Sequence, residues 1–294
     1  MAAKTERDTK GTTTTASTST STVILTCYNR SQATVSCVRS LNSNINVSSY
    51  IIVDDSSSDD TLDRLQELSE AGMEITVLHG DGSLYYSGGM RMGIDEAKKR
   101  EQKTAYYLIV NDDVEFEPGI IDRMIDAENR YFIKNRVHEV LIGCTCSDTG
   151  ELTYGGIRYT GRGISYRICP PGDSELCDTF NANCVLIPKD IFLETENIDL
   201  MYIHSLGDFD YGLSMSRSGV PLRVFEAYVG HCNDNGIHNT WMDRALKRIE
   251  RIKRKESPKG APFRQWFYYL KKNFGLKTAL LHGFTPYLRI LAGK

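Results

Sequence analysis

Apolar residues along this chain gather into short runs that stop abruptly in polar clusters. The runs are Thr22-Val23-Ile24-Leu25-Thr26-Cys27, Tyr50-Ile51-Ile52-Val53, Glu74-Ile75-Thr76-Val77-Leu78 and Tyr106-Tyr107-Leu108-Ile109-Val110. Short runs rich in β-branched and aromatic types predict strands buried on both faces. Between them the apolar spacing becomes helical. Cys37, Val38 and Leu41 share one face; Leu62, Leu65 and Leu68 recur until Gly72 stops the segment, with Ser58 or Asp59 placed to cap it. A third helix runs through about Arg100, after a glycine-rich stretch from Gly80 to Gly89. This strand and helix alternation predicts a parallel sheet of right-handed βαβ units.

After Pro118 and a helix from about Ile120 to Tyr131, the pattern becomes irregular. Val140–Cys144, Tyr154–Ile157, Ile164–Arg167 and Cys184–Ile187 read as short strands with glycine turns. Gly207 to Ser214 reads as the start of a helix, and Val220–Phe225 reads as a strand followed by Tyr228-Val229-Gly230-His231-Cys232. From Asn239 the pattern is helical, with Met242, Ala245, Leu246, Ile249 and Ile252 as an apolar stripe. Arg244, Lys247, Arg248, Arg251, Lys253, Arg254 and Lys255 crowd the other faces. The chain thus divides into a polar, disordered lead-in (1–21), a βαβ half (22–117), an irregular half (118–236) and a basic, aromatic helical tail (237–294).

With 294 residues, 40% hydrophobic and 25% charged, the composition is that of an ordinary globular protein. The net charge of −3 gives no general attraction for nucleic acid, so polyanion contact would need a local basic patch. The eight cysteines are scattered through a chain too large to need disulfide staples, and they read as free buried thiols. Cys144 and Cys146 fall on one face of a strand, but no second close pair completes a zinc site. The first residues lack a signal-peptide core, and no run reaches the ~18 apolar residues of a membrane span, so a cytosolic protein is expected. The basic helix near Trp266-Phe267-Tyr268-Tyr269 reads either as a solvated helix packed on the core or as a contact with an anionic membrane surface.

Each strand of the first half ends in polar residues: Thr26 with Tyr28, Asp54 with Asp55, Asp81 with Gly82, and Asn111 with Asp112 and Asp113. Parallel strands would bring these ends to one rim, where open α/β sheets bind ligands. Adjacent carboxylates at that rim suit a hard divalent cation that also holds a diphosphate; the plainer alternative is a polar turn before the Pro118 helix. Capping accounts for one of Asp54 and Asp55 but hardly needs both. Gly88 and Gly89 would allow close backbone approach to a phosphate at a helix N-terminus, although the stretch fits neither a P-loop nor a dinucleotide fingerprint. Asp208 and Asp210 suit a helix start on dipole grounds alone, and a lone His231 reads as a core histidine as readily as a ligand.

Four segments together carry a resemblance. Thr26-Cys27-Tyr28-Asn29-Arg30, Val53-Asp54-Asp55-Ser56-Ser57, Asn111-Asp112-Asp113, and Gly207-Asp208-Phe209-Asp210-Tyr211-Gly212-Leu213 with His231 stand in an order and spacing similar to inverting GT-A-type glycosyltransferases. Within that group the chain resembles bacterial rhamnosyltransferases and galactofuranosyltransferases of surface polysaccharide synthesis. The resemblance covers about Thr22 to His231. It implies a GT-A, Rossmann-like α/β fold: a mostly parallel sheet with helices on both faces and a C-terminal helical extension. It also implies that Thr26 and Tyr28 flank the nucleotide base, that Asp55 accepts a hydrogen bond from the base, and that Asp112 lies near the ribose, with Arg30 and Asp81 in the same nucleotide site. Asp113 would coordinate Mg²⁺ or Mn²⁺ bridging the donor diphosphate, and His231, 23 residues after Asp208, would complete the metal or phosphate contacts. Asp208 would be the catalytic base, and Gly88, Gly89 and Arg91 would meet sugar and diphosphate.

Val114 stands where relatives carry a further acidic residue, and Arg91 where they often carry a small polar one. The expected activity is metal-dependent, inverting transfer from a dTDP- or UDP-linked donor, rhamnose foremost, to a glycan acceptor that is free or lipid-linked. Two rivals stay open. A sugar nucleotidyltransferase would need a basic, glycine-rich loop near the first strand, where residues 26–31 offer only Arg30. A non-catalytic carbohydrate-binding or scaffold protein would keep the fold without needing Asp208.

Overall fold

The computed structural model describes residues 20–100, 104–161 and 164–294. The expected lead-in therefore lies outside the described residues up to residue 19, while Ser21 already opens the first strand. The chain then runs β1 (Ser21–Cys27), α1 (Ser31–Leu41), β2 (Val47–Asp54), α2 (Thr61–Glu70), β3 (Ile75–His79), α3 (Tyr85–Lys99) and β4 (Tyr106–Val110). These four strands pair in parallel in the order β3-β2-β1-β4, as the alternation predicts. Successive side chains of a strand point to opposite faces. Val23 and Leu25 accordingly pack with Val38, Leu41 and Leu65 of α1 and α2, whereas Ile24, Tyr107 and Ile109 pack with Met90 and Ile94 of α3. Burial on both sides explains why the strands read as unbroken apolar runs.

The second half supplies β5 (Glu115–Phe116), α4 (Ile120–Asn135), β6 (Val140–Cys146), β7 (Leu152–Tyr154), β8 (Gly156–Tyr159), β9 (Tyr166–Cys169), β10 (Thr179–Phe180), β11 (Cys184–Pro188), α5 (Lys189–Glu194), α6 (Gly207–Arg217) and β12 (Leu222–His231). The main sheet continues β4-β11-β6-β12-β5, with β7 beside β6, and β10-β8-β9 form a small second sheet. The expected Tyr154–Ile157 strand is instead broken at Gly155, where the chain leaves one sheet for the other. A side chain there would meet Cys144 Sγ at 2.6 Å. β11 runs antiparallel between β4 and β6, and Cys184 pairs with Val110. The residues that enter β11 therefore stand at the rim where β4 ends. All eight cysteines are buried and free, as expected.

The tail forms α7 (Arg248–Lys255), α8 (Phe263–His282) and α9 (Thr285–Leu291). The helix expected from Asn239 thus starts only at Arg248, and the expected burial is reversed. Met242 and Ile249 are exposed, whereas Arg251 and Lys255 are buried. Polar partners explain the reversal: Arg251 donates to the carbonyls of Trp241 (2.7 Å) and Lys294 (2.6 Å), and Lys255 donates to that of Ala261.

Candidate active site

The rim is tied together at the ends of β1 and β2. Asn29, at a left-handed φ of 51°, donates its N–H to Ser57 Oγ (2.9 Å) and accepts from Ser58 N through Oδ1 (2.7 Å). Tyr28 stands exposed at the mouth beside it. Asp55 is buried, and its carboxylate accepts the N–H groups of Gly82 (2.9 Å), Leu84 (3.3 Å) and Tyr85 (2.9 Å). It is therefore the anion that satisfies the N-terminus of α3. Asp81 is an exposed turn residue that accepts from the Ser83 amide (2.9 Å) and hydroxyl (2.6 Å), contacts that lower its carboxyl below the usual range.

Three residues expected at the sugar or diphosphate have other surroundings. α3 begins at Tyr85, so Gly88 and Gly89 lie within the helix rather than in a loop before it. A side chain at Gly89 would run into Thr26 Oγ1, and one at Gly93 would meet Ile24 at 2.7 Å. Small residues here let α3 lie close on β1 against one side of the half-buried Thr26, whose hydroxyl donates to Val53 O (3.1 Å). Arg91 donates to the carbonyls of Ile198 (2.9 Å), Asp199 (3.0 Å) and Tyr202 (2.7 Å). It pins the segment before α6 onto α3.

The end of β4 carries the acidic centre. Arg30 spans both carboxylates, with Nη1 3.0 Å from Asp112 and Nη2 2.8 Å from Asp113. Thr34, one turn further along α1, donates to the other Asp112 oxygen (3.2 Å). Burial pushes the Asp112 carboxyl up to about 6 against the opposing pull of Arg30. Asp113 is the more accessible of the two, and the Cys232 thiol lies 3.6 Å from its Oδ1. Burial and that neighbouring carboxylate push the thiol up to about 12, so Cys232 stays protonated and can donate. His231, one position earlier on the strand, directs its ring elsewhere, with Glu117 at 3.6 Å and Cys146 at 3.7 Å. Among the described residues no group of three or more His, Cys, Asp or Glu is arranged to hold a metal ion.

Asp208 sits in the first turn of α6 and accepts from its neighbour Phe209 N (2.9 Å) and from Ala182 N (3.4 Å). Loss of surrounding water pushes its carboxyl up to about 6. The residue after Ala182 joins this side to the acidic centre: Asn183 O accepts from Asn111 N (3.4 Å), and Asn183 Nδ2 lies 3.6 Å from Cys232 Sγ. Half-buried Tyr86 senses both sides, its hydroxyl being raised first by loss of water around it and then by the charges of Asp208 and Asp113. Asp208, Asp112 and Asp113 thus converge on one rim. Tyr159, Tyr166 and Tyr269 also lie within the field of Asp208. Asp210 turns away to Lys272 (2.7 Å) and Asn273 (2.7 Å) of α8, so it anchors the tail.

Sequence reasoning did not single out Thr34, Tyr86, Asn183 or Cys232. Strand alternation at His231 was the available clue for Cys232, because neighbouring side chains on a strand face opposite ways.

The family described as Glycosyl transferase family 2 matches residues 22–133. Among solved structures, the chain is similar to the mannosyltransferase PcManGT from Pyrobaculum calidifontis in complex with GDP-Man and Mn²⁺. That similarity has a TM-score of 0.55 at 10% identity and covers 93% of this chain and 73% of that one. TarS of S. aureus in complex with UDP-GlcNAc gives 0.56 at 12% identity over 92% and 81%. GalNAc-T7 with UDP, GalNAc and Mn²⁺ gives 0.57 at 11% identity over 92% and 55%. No curated protein sequence gives a significant match.

Proposed function

We propose that this chain is a glycosyltransferase that transfers a sugar from a nucleoside diphosphate to a glycan hydroxyl with inversion, a reading supported by its GT-A-like fold and by the family 2 match over residues 22–133. The observation that carries this reading is the Ala182-Asn183 bridge, which holds Asp208 on one side of the rim and Asn111 to Asp113 on the other. Inversion needs one carboxylate, on the face of the sugar away from the leaving group. Asp208 takes the acceptor proton as the acceptor oxygen bonds to the anomeric carbon. The bond from that carbon to the diphosphate oxygen breaks, and its electron pair leaves with the nucleoside diphosphate. A carboxyl near 6 is ionised at neutral pH yet basic enough to accept that proton.

Asp113 is the residue that would hold a divalent cation, with Asp112 behind it. Hard carboxylate oxygens at an accessible rim suit Mg²⁺ or Mn²⁺, which take one or two carboxylates and fill their remaining positions with water and substrate phosphate. When bound, the ion would stabilise charge on the departing diphosphate. The similar structures that contain Mn²⁺ support such a cofactor. His231 joins this set only if its ring turns from Glu117 toward the phosphate. Tyr28 and Thr26 flank the base in this reading, and dTDP-rhamnose in surface polysaccharide synthesis is the donor and setting that the sequence resemblance favours. A nucleotidyltransferase is disfavoured because Arg30 is already paired with Asp112 and Asp113, while the Gly82, Leu84 and Tyr85 amides face Asp55.

Screening nucleoside diphosphate sugars for stabilisation and hydrolysis, with Mn²⁺ and with EDTA, tests the reading. A donor that binds only with the ion, and whose binding Asp113→Ala abolishes, supports it. Equal affinity in EDTA, or in Asp113→Ala, refutes the metal assignment.

A further inference from the structure

The last two helices are apolar on two sides, and the protein covers only one. Ala279, Pro286 and Ile290 are buried against the body of the protein. Leu276, Leu280, Leu281, Phe284, Leu288 and Leu291 are between 54% and 64% exposed. The positions 276, 280, 284, 288 and 291 follow the spacing of a single helical face. Gly283 (φ −56°, ψ −42°) and Phe284 (φ −89°, ψ −7°) keep right-handed helical angles, so the stripe continues from α8 into α9. Gly275 (φ 85°, ψ 164°) kinks α8 immediately before it and sets its direction apart from the aromatic first half.

Charge identifies what covers this stripe. From Ser257 to Lys294 there are seven Lys and Arg residues and no Asp or Glu, which against −3 for the whole chain leaves −10 on residues 1–256. Lys272 is paired with Asp199 and Asp210, but Lys277 and Arg289, in the same helical segments as the stripe, are exposed. Exposed leucines and phenylalanine together with unopposed positive charge match a membrane surface bearing anionic lipid, which takes up apolar side chains and attracts basic ones. A second copy of the chain would press the same basic segments against each other, which like-charge repulsion disfavours. No helix among the described residues is long and apolar enough to cross a membrane, so the contact is one of lying on the surface.

We propose that the exposed face of α8 and α9, rather than the α7 stripe expected from the sequence, docks this protein on an anionic lipid surface. This inference stands apart from the donor, the acceptor and the catalytic assignment.

The full chain is tested by co-sedimentation with vesicles of phosphatidylcholine and phosphatidylglycerol in a three-to-one ratio, and with phosphatidylcholine alone. Binding is expected to be at least roughly tenfold weaker without the anionic lipid and to fall as salt rises. Leu280→Glu with Leu288→Glu is expected to weaken binding by about tenfold or more. Lys277→Glu with Arg289→Glu, at exposed positions that leave the fold intact, should weaken it to a similar degree and flatten its salt dependence. Both variants should keep the circular dichroism spectrum of the unmutated protein. Binding that survives both pairs of substitutions overturns the proposal. So does a dimer that Leu280→Glu with Leu288→Glu splits into monomers while the unmutated protein ignores the vesicles.

Discussion

Replacing Asp208 by Asn separates catalysis from folding at a single atom. The amide keeps the size of the side chain and an oxygen that can accept from Phe209 N or Ala182 N, but it cannot take a proton. A general base of this kind contributes about 10²- to 10⁴-fold, so kcat should fall by that factor while donor affinity holds. Stability should move the other way. Burial raises the carboxyl from 3.8 to about 6, so the folded state favours the neutral acid. That contribution is fully present below the unfolded value and is lost as pH rises through the folded one. Near pH 7.5 the ionised group therefore costs roughly 2–3 kcal/mol, and Asn removes that cost. In the unmutated protein, kcat/KM should drop about tenfold per pH unit below the folded value, because the base must be ionised. Asp112 titrates in the same window, so Asp112→Asn is the control and should keep the acid limb. Initial rates of nucleoside diphosphate release from pH 5 to 8.5, with thermal denaturation at pH 7.5, measure all of this. An Asp208→Asn variant that retains more than about a tenth of kcat would refute its role as base. Loss of turnover accompanied by a fall in Tm would show that the carboxylate is structural.

Three further outcomes follow from side chains around the rim. Arg30→Met removes the guanidinium that opposes burial at Asp112, so its carboxyl should rise above about 6 and donor binding should fail at a higher pH, as read by calorimetric titration from pH 5.5 to 8. Arg91→Met leaves the carbonyls of Ile198, Asp199 and Tyr202 without their donor and should cost roughly 2–4 kcal/mol in urea unfolding; a large loss of donor affinity without loss of stability would return Arg91 to the substrate. Gly89→Ala drives a methyl group into Thr26 and should destabilise the fold by about 1–3 kcal/mol, and an unchanged midpoint would contradict the close packing of α3 on β1.

The first four strands, the helices between them and the rim where they end were legible in the residues themselves. Apolar period and polar termination are local properties, and burial on both faces leaves a strand such as Tyr106–Val110 little else to be. Asp208 and the Asn111-Asp112-Asp113 cluster were legible as well, because order along the chain carried them. What each polar group would meet was not. Asp55 takes amides from 27 to 30 residues away and Arg91 takes carbonyls more than 100 residues away. Only packing could assign those partners. The glycine pair was misplaced for a related reason, since helix α3 already starts at Tyr85, three residues before Gly88, once Asp55 satisfies its first amides. The C-terminal helices were legible, but the stripe from Met242 to Ile252 was misread because periodicity reports how apolar a face is, not whether another element covers it. Sequence by itself determined the strands and the acidic rim. Tertiary structure decided which carboxylates are left for substrate, because a buried polar group must find its partner wherever the fold brings one.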